Sequence, residues 1–179
     1  MLFLKPVNFC LLTIFILSLS IFIFAGNRSY AASNPKKDNG VSAEQSKDNK
    51  TPKVIITTAN GRRVTYKVEI ASLSWQRQKG LMFRTSMSQD RGMLFLFASE
   101  EQQSFWMKHT SLPLDMIFIR DNLKILGVVH DAKPFDESSH YVLGTSRYVL
   151  EVNGGQAKKW GIGKNDEVEF VNIDKEAGL

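Results

Sequence analysis

The stretch SFWMKHTSLPLDMIFI, residues 104–119, concentrates side chains that could do chemistry inside an otherwise apolar run. It holds an aromatic residue, a cation, a hydroxyl and an anion, which are Trp106, Lys108, Thr110 and Asp115. Polar groups placed among apolar residues cost free energy unless they are paired, so each must belong to a satisfied network or to a site. An aromatic wall beside these polar groups predicts a pocket for a small polar ligand.

The same residues allow three interpretations of function. In the first, a non-catalytic module binds a small polar ligand or a partner protein in this pocket. In the second, the pocket belongs to an enzyme in which Asp115 is the base, or Lys108 is the nucleophile or electrostatic stabiliser. In the third, Lys108 and Asp115 neutralise each other and Thr110 caps the turn, as in a purely structural interaction domain. The sequence shows no activated nucleophile with a visible base, which favours the first interpretation and leaves enzymatic activity open.

Further candidates for the site lie outside or beside this core set. Arg84 could bind an anion or could clamp a carboxylate to pack a loop. Glu151 is an acid within the apolar sequence YVLEVN, and a natural partner for it would be Arg84 or Lys108. The predicted ligand-binding residues are therefore Arg84, Trp106, Lys108, His109, Thr110, Asp115 and Glu151.

Metal and cofactor chemistry is not indicated by the sequence. The three histidines, His109, His130 and His140, do not have the spacing of H-x-H or H-E-x-x-H ligand pairs. The single cysteine, Cys10, lies in the N-terminal apolar run, so the rest of the chain offers no thiolate. There is no Gly-rich phosphate loop and no G-x-S-x-G motif. We expect no cofactor and no metal.

The elements that must position these residues are short strands. KVIITT and RVTYKVEIA alternate between apolar and polar residues and flank Ala59, Asn60 and Gly61, which predicts a hairpin because Asn-Gly tolerates positive φ. The alternation indicates a half-buried antiparallel sheet. Further strands are predicted at residues 93–97, 104–108, 114–119, 124–129, 147–152 and 167–172.

Two short helices complete the predicted elements. Ser72 or Ser74 could cap the first, which would run through Lys79 and stop at a left-handed Gly80. The second would begin after an N-cap at Asn153 and end before Gly161. About eight short strands with one or two short helices predict a mainly-β sandwich or partly closed barrel.

The N-terminal part of the chain has a different composition. Residues 1–32 carry an early Lys5, a long apolar run and the small-residue string SYAAS, which predicts a signal peptide or an N-terminal membrane anchor. Residues 33–52 are polar and predict a flexible linker, followed by a single domain at residues 53–179. We expect an exported protein, in the periplasm or on the outer face of the cytoplasmic membrane, with membrane contact only through the N-terminal segment.

The charge balance limits the classes of partner. Residues 1–32 contain Lys5 and Arg28 and no acid, so the remainder has 21 basic and 18 acidic residues, a net charge of +3. This excess is too weak to indicate nucleic-acid binding. We expect a monomeric domain whose partner is a small polar ligand or an envelope protein.

Four motifs in this order resemble one protein family. WQRQKGLMFR, RGMLFLF, FWMKHTSLPLDMIFI and YVLEVNGGQAKKWGI are similar to domain of unknown function 192, found in small, often exported bacterial and archaeal proteins. The resemblance covers roughly residues 54–171 and implies a jelly-roll-like, mainly-β fold without an established activity. The family pattern has Asn where this chain has His109, and favours Gly where it has Asn165. Asn tolerates a left-handed turn as Gly does.

Overall fold

The computed structural model describes residues 50–176. The predicted signal peptide or anchor and most of the predicted linker lie outside the described residues. Within them the chain forms seven strands and two short helices, named here in chain order. They are β1 Lys53–Thr57, β2 Arg63–Ala71, α1 Ser74–Lys79, β3 Arg91–Glu101, β4 Leu114–Ile119, β5 Ile125–Ala132, β6 Ser146–Asn153, α2 Gln156–Trp160 and β7 Glu167–Val171.

The strands form one sheet in the order β5-β4-β6-β3-β2-β1-β7. Neighbours are antiparallel except β2 and β3, which are parallel and are connected through α1. The sheet curls into a half-barrel, and its two edge strands approach each other where the Ile125 N–H donates to the Asp166 carbonyl at 3.0 Å. The predicted mainly-β fold, a sandwich or partly closed barrel with two short helices, is confirmed.

The predicted hairpin joins β1 and β2. Thr58 N–H donates to the Arg62 carbonyl at 2.9 Å, and Gly61 takes a φ of +78°, which a residue without a Cβ adopts readily. The register sets Val54 opposite Tyr66, so both side chains point to the same apolar layer.

The sheet buries apolar side chains on both faces, as β4 shows. Every residue of β4 is buried, and its side chains alternate between two separate clusters. Ile117 and Ile119 belong to the first core, which also receives Ala157 from α2. Met116 and Phe118 belong to the second core. A side chain of a central strand therefore points either toward the first core or toward the second core.

The predicted strand at residues 104–108 is wrong. Phe105 makes a single bridge to His140, and the chain then turns at Lys108 and His109. The segment lies over the second core as a loop, with Met107 N–H donating to the Asp136 carbonyl at 2.7 Å. Phe105 and Met107 both face the second core, as alternate residues of a strand would, but within residues 50–176 no strand lies alongside to continue the ladder.

Helix α1 ends at Lys79 with Gly80 as its C-cap, as predicted, while the predicted N-cap at Ser72 or Ser74 and the left-handed helical conformation of Gly80 are wrong. The N-cap residue is Leu73, and the Gln76 side chain accepts the backbone N–H groups of Ser72 and Leu73 at 3.0 Å each. Gly80 has φ +46° and ψ −132°, which is not the left-handed helical conformation.

None of the helices among residues 50–176 is long and apolar enough to cross a membrane.

Candidate functional site

Asp115 is fully buried in β4 on the side of the first core. One carboxylate oxygen accepts the N–H of Asp131 at 2.9 Å and of Gly155 at 3.1 Å, and the other accepts the N–H of Ala157 at 2.7 Å. These bonds tie together β5, the turn after β6 and the first turn of α2. A buried carboxylate with three backbone donors is satisfied without a cation.

The hydrogen bonds of Asp115 account for the glycines of the sequence Asn153-Gly154-Gly155 at the end of β6. Gly155 precedes α2 in the left-handed conformation, and Asp115, distant in sequence, supplies the acceptor for the N–H groups at the start of this helix. A Cβ on Gly154 would lie 2.7 Å from the Asp131 carboxylate and 3.2 Å from Pro113, so a larger residue there would have to displace these neighbours. The predicted N-cap at Asn153 is wrong, because its amide instead donates to the Met87 carbonyl at 2.9 Å.

Lys108 does not pair with Asp115, so the predicted ion pair between them is wrong, and so is the prediction that both line one pocket. The Lys108 ammonium lies 3.8 Å from the Glu137 carboxylate and 5.1 Å from the ring centre of Trp106. The Lys108 side chain is partly exposed on the loop before β4, whereas the Asp115 side chain is buried in the sheet. The Thr110 hydroxyl donates to the Lys108 carbonyl at 3.2 Å and so supports the turn, as the structural interpretation predicted.

Arg84 acts as a clamp for loop packing. Its guanidinium donates two hydrogen bonds of 2.6 Å to the Glu69 carboxylate on β2. These bonds hold the pKa of Glu69 below its ordinary value. The Arg84 carbonyl in turn accepts the Ser111 hydroxyl at 2.7 Å, which joins the loop after α1 to the loop before β4.

Glu151 has the opposite environment to Asp115. It lies in β6 between Met93 of β3 and Met116 of β4, on the side of the second core, and is 4% exposed. Among residues 50–176 no side chain or backbone group hydrogen-bonds or ion-pairs with its carboxyl group. Burial raises the pKa of Glu151 to about 8. The predicted pairing of Glu151 with Arg84 or Lys108 is wrong, because those cations bind Glu69 and Glu137.

Glu151 lines a cavity of about 210 Å³. The exposed residues of its wall come from α1 and the loop before β4, and this exposed part of the wall is called the mouth. The apolar part of the wall is formed by Leu81, Met82, Phe95, Phe97, Phe105 and Trp106. Thr110 lies on the wall, and Arg77, Lys79 and Gly80 come from α1 and its end. Of the predicted site residues, the cavity brings together Trp106, Thr110 and Glu151, and its wall does not include Arg84, Lys108, His109 or Asp115.

Sequence reasoning missed most of the cavity wall, of which Arg77 and Gly80 are two instructive residues. The Arg77 guanidinium donates to the Ser72 carbonyl and to the Leu96 carbonyl, the latter at 3.1 Å, and lies 5.2 Å from the ring centre of Phe97. A Cβ on Gly80 would lie 3.3 Å from the Phe95 ring, so glycine leaves room at this edge. Both residues belong to the motif WQRQKGLMFR, and their place in this motif is the sequence signal that could have identified them as site residues.

The described residues provide no obvious metal centre. No group of three or more histidine, cysteine, aspartate or glutamate side chains within residues 50–176 lies close enough together to hold a metal ion.

The model of one protein family, described as Uncharacterized ACR and known as domain of unknown function 192, matches residues 55–170. The chain belongs to this family. No match was found among curated proteins.

Two solved structures are similar to this member of the domain of unknown function 192 family. A protein of unknown function from Novosphingobium aromaticivorans DSM 12444 is 38% identical, with a TM-score of 0.63, and the match covers 65% of this chain and 83% of that one. A protein from Sinorhizobium meliloti 1021, described as a "putative transcription regulator", is 37% identical, with a TM-score of 0.66, and the match covers 69% of this chain and 95% of that one.

Both departures from the family pattern fall at left-handed backbone positions. His109 has a φ of +52° and Asn165 a φ of +70°. Asn and Gly tolerate this conformation, which explains the residues that the pattern favours. His109 is further held by stacking on Phe83, with ring centres 5.2 Å apart.

We expect His109→Asn to stay within about 0.5 kcal/mol of the unchanged protein in free energy of unfolding, because Asn adopts the same backbone conformation at an exposed position. His109→Val should lower this free energy by about 1–2 kcal/mol, since a β-branched residue is strained there. Urea denaturation of the two variants measures the difference. Equal stabilities for Asn and Val would show that the backbone at residue 109 is not the constraint.

Proposed function

We propose that this chain is an exported binding module of the cell envelope that takes a small ligand into the cavity beside Glu151. The observation that carries the proposal is the buried Glu151 carboxyl on the cavity wall, which has no hydrogen-bond or ion-pair partner within residues 50–176. Three backbone N–H groups, from β5, the turn after β6 and α2, donate to Asp115, whereas no hydrogen bond from residues 50–176 reaches the Glu151 carboxyl. Because buried polar groups are normally satisfied, a group left without a partner beside a cavity is available to a ligand.

The shape and lining of the cavity support the same conclusion. Ligand sites are concave and mostly apolar, with a few polar groups that orient the ligand. Here Glu151 lines the same cavity as Phe95, Phe97, Phe105 and Trp106, and Trp106, which is 49% exposed, extends this aromatic wall to the surface. The sequence predicted a ligand site that includes Trp106, Lys108 and Asp115. We assign the ligand instead to the cavity that Trp106 and Glu151 line, with Glu151 as its acidic residue.

A second candidate function is enzymatic, and a specific observation favours it. A pKa of about 8 lets the Glu151 carboxyl give or accept a proton near neutral pH, as a general acid or base must. Asp115 is a poor candidate base, because both of its oxygens are occupied by backbone donors. Lys108 lies outside the cavity wall and has an acidic partner.

The proposed location rests on the sequence of residues 1–32, which has the pattern of an export signal or anchor. The description of the Sinorhizobium protein concerns that protein. For this chain, a net charge of +3 after residues 1–32 and an export signal argue against a role on DNA.

A thermal-shift screen of small molecules tests the proposed function. Compounds that stabilise the unchanged protein should lose their effect in Glu151→Leu and Trp106→Ala, because both changes alter the cavity. Trp75→Ala is the matched control, since Trp75 is 62% exposed on α1 and lies outside the cavity wall. Absence of any stabilising compound, or compounds that act equally on Glu151→Leu, would contradict the proposal.

A further inference from the structure

The charges around the cavity differ between its mouth and its interior. Arg77 and Lys79 line it from α1, and Lys79 is exposed. Arg77 uses one guanidinium nitrogen for two backbone carbonyls, which leaves its other N–H donors without a partner among residues 50–176. Both charged groups at the mouth are therefore cations with donors to offer.

The interior carries one titratable group, Glu151, within the described part of the chain. The flanking strands β3 and β4 place Met93 and Met116 beside it. The loop before β4 adds uncharged polar residues, and α1 adds the two cations at the mouth. Burial raises the pKa of Glu151 to about 8, so at neutral pH the carboxyl is mainly protonated and can donate a hydrogen bond.

The cations at the mouth, the Glu151 carboxyl in the interior and the aromatic wall together indicate the chemical class of the ligand. We infer that the cavity binds a small organic anion whose negative group meets Arg77 and Lys79, whose flat apolar body lies among the aromatic side chains, and whose far end accepts a hydrogen bond from Glu151. This inference rests on the proposed binding function and names the ligand class for the same cavity. Guanidinium and ammonium groups are the usual partners of carboxylates and phosphates.

An organic cation fits the same cavity less well. It would have to pass Arg77 and Lys79, both of like charge, and it would pair with Glu151 only after that carboxyl had lost its proton. The two ligand classes therefore predict opposite pH dependence. Affinity for the anion should be steady up to about pH 8 and fall above it as Glu151 ionises, whereas affinity for a cation should rise with pH in the same range.

Three probes that share a ring and a ketone acceptor separate these classes: 4-acetylbenzoate, 4-acetylbenzamide and 4-acetylbenzylamine. We expect ligand-observed NMR titrations at pH 7 to show the benzoate binding at least tenfold more tightly than the benzylamine. Lys79→Gln should weaken the benzoate several-fold and leave the benzamide unchanged. Glu151→Gln, which keeps a donor, should retain benzoate binding and remove its loss above pH 8.

The outcomes distinguish failure of this inference from failure of the proposed function. Tighter binding of the benzylamine, strengthening with pH and lost in Glu151→Gln, would overturn the anion assignment while supporting a ligand site at Glu151. No binding of the benzoate, combined with compounds from the thermal-shift screen that depend on Glu151, would also overturn the anion assignment alone. No cavity-dependent binding by any compound would overturn both.

Discussion

Replacing Asp115 by alanine should lower the free energy of unfolding by about 4 kcal/mol, because it leaves buried backbone N–H groups without acceptors and each costs about 1–3 kcal/mol. The affected donors are those of Asp131, Gly155 and Ala157. Asp115→Asn should cost less, since one side-chain oxygen remains as an acceptor. Urea denaturation followed by tryptophan fluorescence measures these losses.

Lys108→Met is the control for this result, and it should change the free energy of unfolding by less than about 1 kcal/mol, because the ion pair of Lys108 with Glu137 is exposed. The double variant of Lys108 and Asp115 should show the sum of the two single effects. A coupling larger than about 1 kcal/mol between these residues would mean that they interact directly, contrary to the structure.

Replacing Glu151 by glutamine should stabilise the protein increasingly as pH rises. The folded pKa of Glu151 is raised to about 8 from an ordinary value of 4.5, so the unfolded chain loses this proton first. Between these two pH values the unfolded state binds fewer protons than the folded state, and stability falls with pH by about 1.4 kcal/mol per unit. Glutamine cannot ionise, so the gain should be near zero at pH 4 and about 3 kcal/mol at pH 7.

The control for this pH dependence is Glu137→Gln, which removes an exposed acid. Its effect on the free energy of unfolding should be small at every pH. Chemical denaturation of the three proteins from pH 4 to pH 8.5 gives the comparison. A stability difference between the unchanged protein and Glu151→Gln that stays constant with pH would show that Glu151 ionises normally when folded.

The sequence predicted the strands that hold the site well, because burial on a pleated strand follows a period of two. The apolar run at residues 114–119 coincides with β4, in which Asp115 and Met116 lie on opposite faces of the sheet. The hairpin at Gly61 was equally predictable, since its turn chemistry is local.

Pairing between polar residues was not predictable in the same way. Asp115 binds backbone N–H groups, which every residue except proline carries, so the sequence offered Lys108 as the visible but wrong partner. Alternate side chains of residues 104–108 face the second core, as in a strand, but a strand also needs a neighbouring strand to pair with. That neighbour depends on the path of the whole chain.

The isolation of Glu151 is likewise a property of the fold. The sequence contains cations that could have met it, and only the tertiary arrangement directs Arg84 to Glu69 and Lys108 to Glu137. The cavity depends in turn on Gly80 and on aromatic residues from β3 and the loop before β4. Residues so distant in sequence carry no shared local pattern.

The most direct measurement is the titration of the Glu151 carboxyl carbon by NMR in protein labelled at its glutamate side chains, with Glu151→Gln to assign the signal. The structure predicts a midpoint near pH 8, because the carboxyl is buried beside the cavity with no partner among residues 50–176. It also predicts that a cavity ligand shifts this midpoint. A midpoint near the ordinary glutamate value of 4.5, unaffected by any ligand, would contradict the central claim that Glu151 is a protonated group held ready for a ligand.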